Sequence, residues 1–160
     1  MLPLIGAPNP ILRQKARAVE IPPSSALLEL AQGMFEAMAH YRGIGLAAPQ
    51  VGQSLRLIVI DTASGPTAYL NPEVLKSSWR KTNFEEGCLS LPGVYGVVRR
   101  PARVLAAYVD LQGSSHEEWM EGLQARVFQH EVDHVNGILF TDHTKKITSG
   151  AELMATYGVR

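Results

Sequence analysis

The sequence predicts an α+β fold: small mixed or antiparallel β-sheets packed around a central helix. One helical pattern comes early, short apolar runs punctuated by Gly, Pro and Asn fill the middle, and the clearest second helix comes late. Strands grouped ahead of a late helix, rather than alternating with helices, indicate α+β and not a doubly wound sheet. The length of 160 residues suits one domain, taken as 1–160. With 46% hydrophobic and 19% charged residues, the composition supports a packed core.

The elements follow in order. The Pro- and Asn-rich start, broken by Pro3, Pro8 and Pro10, reads as an extended segment laid on the surface. Over 24–41 a helix is expected, because Leu27, Leu30, Ala31, Met34, Met38 and Tyr41 recur at three- and four-residue steps. Ser24 or Ser25 caps its start and Gly43 ends it. The small-residue strip 43–52 (GIGLAAPQVG) reads as a turn; it lacks the Lys-Ser/Thr of a phosphate loop. Strands are expected at 55–61, 67–70, 74–81, 94–98 and 104–111, with Asn71-Pro72 ending the second. A turn at Gly113 leads into a helix over 116–135, stopped near Asn136-Gly137. Trp79 and Trp119 read as packing residues.

Charge narrows the function. Fifteen Lys+Arg balance fifteen Asp+Glu, giving zero formal charge. That argues against a nucleic-acid groove or a polybasic membrane patch. The apolar run 57–60 is far too short for a bilayer span of about 20 residues. A single cysteine, Cys88, excludes an internal disulfide and suits a reducing compartment, so a cytoplasmic location is expected.

The late helix carries His130-Glu131-Val132-Asp133-His134, an HExxH pattern. Positions i and i+4 share one helical face, so both imidazoles can reach one divalent ion. Glu131 lies about 100° round the helix, placed to act as a general base on a water without ligating. A third ligand is needed. His143 and Glu152 follow the motif without the usual spacing, and Cys88 precedes it; as a free cysteine Cys88 reads equally well as a small buried hydrophobe. Glu86 pairs with Arg100 or lies exposed, and Asp133 orients an imidazole or is solvated. His40, His116 and His143 have no ligating spacing.

Three segments together carry a resemblance. GIGLAAPQVG (43–52), EGCLSLP (86–92) and QHEVDHVNG (129–137) are similar to the three signature motifs of the peptide deformylase family, in order and at comparable spacing. The resemblance runs from the N-terminus to about Phe140. It implies a metallohydrolase removing formate from N-formylmethionyl nascent peptides. Cys88, His130 and His134 would hold one divalent ion, natively Fe²⁺ and replaceable by Ni²⁺, Co²⁺ or Zn²⁺. Glu131 would move the proton, while Gln50 and the Leu89 backbone N–H would face the oxyanion. Ile44, Gly45 and Gly87 would pair with the substrate main chain. Ile44, Leu123 and Val127 would line the methionine pocket.

The chain departs from the pattern at two places. Val135 stands where the family usually has Leu. After Phe140 the tail, with Lys145, Lys146 and Arg160 against Asp142 and Glu152, lacks the long basic helix by which many bacterial members dock on the ribosome. Ribosome association by that route is therefore not expected. Three other readings compete: a paralogue acting on another N-acyl group, a catalytically silent metal-binding interaction module, and an HExxH endopeptidase. The intact Cys88, His130, Glu131 and His134 argue against the silent module, and a Cys third ligand argues against the endopeptidase.

Overall fold

A computed structural model describes residues 1–159. Two helices, α1 (Ser25–His40) and α2 (Gly122–Val135), accompany eight strands in two antiparallel sheets. The larger sheet has the order β1 (Gly45–Ala47), β2 (Leu57–Thr62), β3 (Gly65–Ser77), β6 (Arg103–Val109), β7 (Ser115–Glu121). The smaller has the order β4 (Lys81–Cys88), β5 (Leu91–Pro101), β8 (Lys146–Ser149). The class is α+β, as the sequence predicts.

β2 explains the layering. Its residues alternate between faces: Leu57 and Val59 join the cluster containing Leu27, Ala31, Met34 and Met38 of α1. Ile58 and Ile60 join Ala125, Phe128 and Val132 of α2. A strand buried on both faces reads as a continuous apolar run, which is why 57–60 stands out in the sequence. α1 starts as expected, with the Ser24 hydroxyl accepting the Leu27 N–H at 3.3 Å. A third cluster, including Leu12, Leu91, Val98 and Phe140, packs under the smaller sheet.

Several expectations are corrected. The second helix begins at Gly122, not 116; residues 115–121 form β7 in unbroken register with β6, from Arg103↔Glu121 to Val109↔Ser115. Pairing with a neighbouring strand overrides local helix preference there, and Gly122, at φ 62°, makes the corner. Asn71-Pro72 does not end a strand. β3 runs through it with a register shift between Leu70 and Glu73, while the Asn71 side chain bonds both the N–H and C=O of Val19. β4 and β8 lie where the sequence pattern predicts no strand. The strip 43–52, read as a turn, is a short strand followed by a 3₁₀ turn (Ala48–Val51), both largely buried.

The N-terminal segment is partly a 3₁₀ turn (Pro10–Arg13) with Leu12 buried. Trp79 is 93% exposed and Trp119 half-exposed, so neither is a packing residue. Trp79 sits in the turn between β3 and β4, and Trp119 lies beneath the Arg103 guanidinium, 5.2 Å from its ring centre.

Each sheet leaves one edge strand near the HExxH helix. β1 ends the larger sheet and β4 ends the smaller. Both border one cavity of about 560 Å³, floored by α2.

Candidate metal centre

α2 and the end of β4 converge on this cavity. Cys88 closes β4, while His130 and His134 project from successive turns of α2. Their ligand atoms all lie within 4.8 Å of one another, and Cys88 Sγ stands 3.3 Å from His134 Nε2. Metal–ligand bonds of about 2.0–2.3 Å would bring all three onto one ion. One sulfur and two imidazoles suit a first-row divalent ion and not Mg²⁺ or Ca²⁺. The residues present fit such a metal.

Protonation is arranged for ligation. His130 donates through Nδ1 to Glu86 Oε2 at 2.9 Å, so Nε2 is the nitrogen left for a metal. Burial would depress His130, but its hydrogen bonds with Cys88 and Glu86 outweigh that and raise it to about 10. A cation on Nε2 would replace that proton. His134 is held well below its ordinary value by burial, then by the charges of His130 and Arg100, so it stays neutral. Its Nδ1 has no hydrogen-bond partner among the described residues.

Glu86 anchors the assembly. Burial would raise its carboxyl, yet the hydrogen bonds from His130 and Arg100 reverse this and hold it well below the usual carboxylate range. Arg100 Nε donates at 2.6 Å and Arg126 Nη1 at 2.8 Å, both to Oε1. Glu86 is therefore a buried, saturated ion and not an exposed carboxylate. Asp133 makes no hydrogen bond to the imidazole of His130 or His134. It accepts from Arg100 at 2.7 Å and bonds His143 Nε2 at 3.0 Å.

Glu131 is in the opposite condition. It is buried, and its Oε2 has no partner among the described residues. Desolvation raises it to about 7, although the nearby His130 charge pulls the other way. A Cβ on Gly45 would strike Glu131 Oε1 and come within 2.8 Å of Val127 Cγ1. Only glycine there leaves room for that carboxylate.

Gln50 is fixed from both ends. Its Oε1 accepts the Ala47 N–H at 2.9 Å, so Nε2 faces Ser90 Oγ at 3.2 Å and Cys88 Sγ at 3.5 Å. Ser90 in turn donates to the Ile5 carbonyl at 2.8 Å, tying the N-terminal segment to the site. Leu89 follows Cys88 directly and lines the cavity with Ile44, Gly45, Gly87, Leu123 and Val127. Val127 is buried, whereas Leu123 is 59% exposed, so Leu123 is a wall of the mouth and not core.

The geometry agrees with the relatives of this sequence. The family described as Polypeptide deformylase matches residues 1–149. The chain belongs to the polypeptide deformylase family. It is 46% identical over 150 residues to the peptide deformylase of Mesorhizobium japonicum, covering 91% of this chain and 85% of that one. It is likewise 46% identical over 137 residues to that of Thermotoga neapolitana, covering 86% and 83%. Among solved structures, the peptide deformylase from Thermotoga maritima superposes with a TM-score of 0.87 at 41% identity, covering 91% of this chain and 98% of that one. One from Synechococcus elongatus in complex with actinonin gives a TM-score of 0.89 at 37% identity, covering 99% and 87%. This deformylase is a metal-dependent hydrolase that removes the formyl group from N-formyl peptides.

Sequence reasoning missed three parts of the centre. Arg126 lies four residues before His130 on α2, a helical spacing that could have flagged it. Ser90, two residues after Cys88, gave no signal of its own. Phe84 and Tyr95 line the cavity from β4 and β5, strands whose approach to α2 no local pattern reveals.

Proposed function

We propose that residues 1–160 work as one catalytic unit in which Cys88, His130 and His134 hold the divalent ion and Glu131 is the proton-transfer group. The observation that carries this reading is the buried Glu131 oxygen with no partner among the described residues, beside three converged ligand atoms. A bound divalent ion supplies Lewis acidity, lowering the pKa of water and polarising the formyl carbonyl. The N₂S donor set supports a first-row divalent ion, Fe²⁺, Ni²⁺, Co²⁺ or Zn²⁺, and the family resemblance favours Fe²⁺ among them.

Glu131 takes the proton of the attacking water as a C–O bond forms at the formyl carbon. The same carboxyl then gives that proton to the amine nitrogen as the C–N bond breaks, leaving formate and a free N-terminus. Its pKa near 7 suits both directions of transfer. The Gln50 Nε2–H and the Leu89 backbone N–H meet the charge that develops on the formyl oxygen. Because Ala47 fixes the Gln50 amide, that donor needs no reorganisation.

The substrate enters as an added strand between the β1 and β4 edges, bonded to the main chain at Ile44, Gly45 and Gly87. Main-chain pairing ignores most side chains, as an enzyme acting on many nascent chains requires. Ile44, Leu123 and Val127 take the methionine side chain. The tail includes a short 3₁₀ turn (Ala151–Leu153), and Val159 packs under the smaller sheet.

The test is formate release from formyl-Met-Ala-Ala by protein loaded anaerobically with Fe²⁺ or Ni²⁺, beside the acetyl analogue. Strong preference for formyl is expected. Equal or reversed preference would contradict the assignment in favour of another N-acyl specificity.

A further inference from the structure

Arg42 is a second ionic feature of the catalytic cavity, and it is built unlike the first. It lines the cavity, is exposed, and has no ion-pair partner among the described residues. Its backbone lies at φ 56°, in the left-handed region where helix ends usually place glycine. The N–H groups of Arg42 and Gly43 close α1 on the Ala39 and Met38 carbonyls at 3.2 and 2.9 Å. A non-glycine residue held there is unfavourable for the fold. Strain of that kind, on a residue facing a ligand cavity, points to a role with the ligand.

The position suggests the role. Gly45 abuts Glu131 and therefore marks the reacting end of the β1 edge. Ile44, Gly43 and Arg42 lead away from it. Arg42 and Gly43 precede β1, in the turn that closes α1, so Arg42 lies beyond Ile44 on the side away from Glu131. The other cations bordering the cavity are held by Glu86, and its acidic groups are Glu85, Glu86 and Glu131. Arg126 and Glu86 pair with each other, Glu85 Oε2 accepts from Thr148 at 2.5 Å, and His130 is bonded to Glu86. Of the two arginines that line the cavity, Arg42 is the one without a carboxylate partner among the described residues, and so the cation open to a passing peptide.

We propose that Arg42 is a specificity determinant that favours formyl-Met peptides with a carboxylate side chain in the two positions after methionine. This deepens the deformylase reading and rests on it. The attraction acts on binding away from the reacting bond, so it lowers KM more than it changes kcat. An exposed ion pair gives a factor of about two to five, shrinking as salt rises.

The test compares formyl-Met-Ala-Glu, formyl-Met-Ala-Ala and formyl-Met-Ala-Lys on wild type and R42G. Glycine suits the left-handed backbone, so R42G keeps the fold. Expected is a kcat/KM order of Glu over Ala over Lys, carried by KM, weaker at 0.5 M salt and lost in R42G. Turnover of all three without that order overturns the role of Arg42 while leaving the deformylase reading intact. Absence of turnover on all three overturns the deformylase reading. NMR titration with the product peptides Met-Ala-Glu and Met-Ala-Lys then still decides the charge preference, because it needs no catalysis. Equal binding of the two would sink it.

Discussion

The two sides of α2 carry similar residue types in opposite states. Towards the catalytic cavity, Glu131 Oε2 is buried without a partner among the described residues. Towards the cleft behind the helix, bordered by Lys15, Arg56, Arg99, Arg100, Asp133 and His143, the buried polar groups are saturated. Arg56 bonds Asn136 Oδ1 and the Pro72 carbonyl, each at 2.8 Å, and Arg100 is shared between Glu86 and Asp133. Leaving a buried polar atom unpaired is costly, so the bare Glu131 oxygen facing the cavity marks that side as the working one. Glu86 bridges the two: Oε2 holds His130 and also accepts Arg100 Nη2 at 3.0 Å, while Oε1 accepts from Arg100 and Arg126.

That contrast can be broken from its front. Glu131→Gln should retain the metal and lose about 10²–10⁴ in kcat, measured with metal content beside turnover. In wild type, kcat/KM should rise with pH, because Glu131 accepts a proton only when ionised. Burial puts it near 7 and a bound cation would lower it, so the acid limb of a pH–rate profile should lie at or below about 7. Gln50→Ala removes a fixed donor and should cost about 10²–10³ in kcat with little change in KM.

The bridge comes next. Glu86→Ala strands Arg100 and Arg126, a loss of about 3–5 kcal/mol readable by denaturant unfolding. Metal affinity should also fall about 10–100-fold in a chelator competition, since His130 loses its orienting partner. The wild-type carboxyl is depressed, so its stabilisation is present above the ordinary value of 4.5 and lost as pH falls below it.

The rear should matter least. His143 is raised by its hydrogen bond to Asp133, against a smaller desolvation effect. Its stabilisation is therefore present below 6.5 and lost as pH climbs through the raised value. The ring is 40% exposed, so His143→Ala should shift stability by less than about 1 kcal/mol, and only at acid to neutral pH.

The sequence carried the front side well and the rear poorly, for a physical reason. The HExxH pair is local: helical spacing alone aligns His130 and His134, and β2 announces its burial by composition. Gln50 and Cys88 became readable only through ordered motifs, because their meeting depends on two sheets closing over α2. The Glu86–Arg100–Asp133–His143 chain joins four segments by side-chain length, and the sequence offers only the Glu86–Arg100 pairing as one of two alternatives. Local preference also misled at 116–121, where pairing with β6 outweighs helix-compatible residues. Zero net charge hid an uneven surface, since Arg42 stands unpaired in the very cavity where substrate must pass.

The most direct measurement loads wild type, Cys88→Ala and Glu131→Gln with Ni²⁺, then records bound metal and formate released from formyl-Met-Ala-Ala for each. Wild type should show both, Cys88→Ala neither, and Glu131→Gln metal without turnover. Formate release by Cys88→Ala at the wild-type rate, or full turnover by Glu131→Gln, would contradict the division of labour drawn between ligands and proton-transfer group.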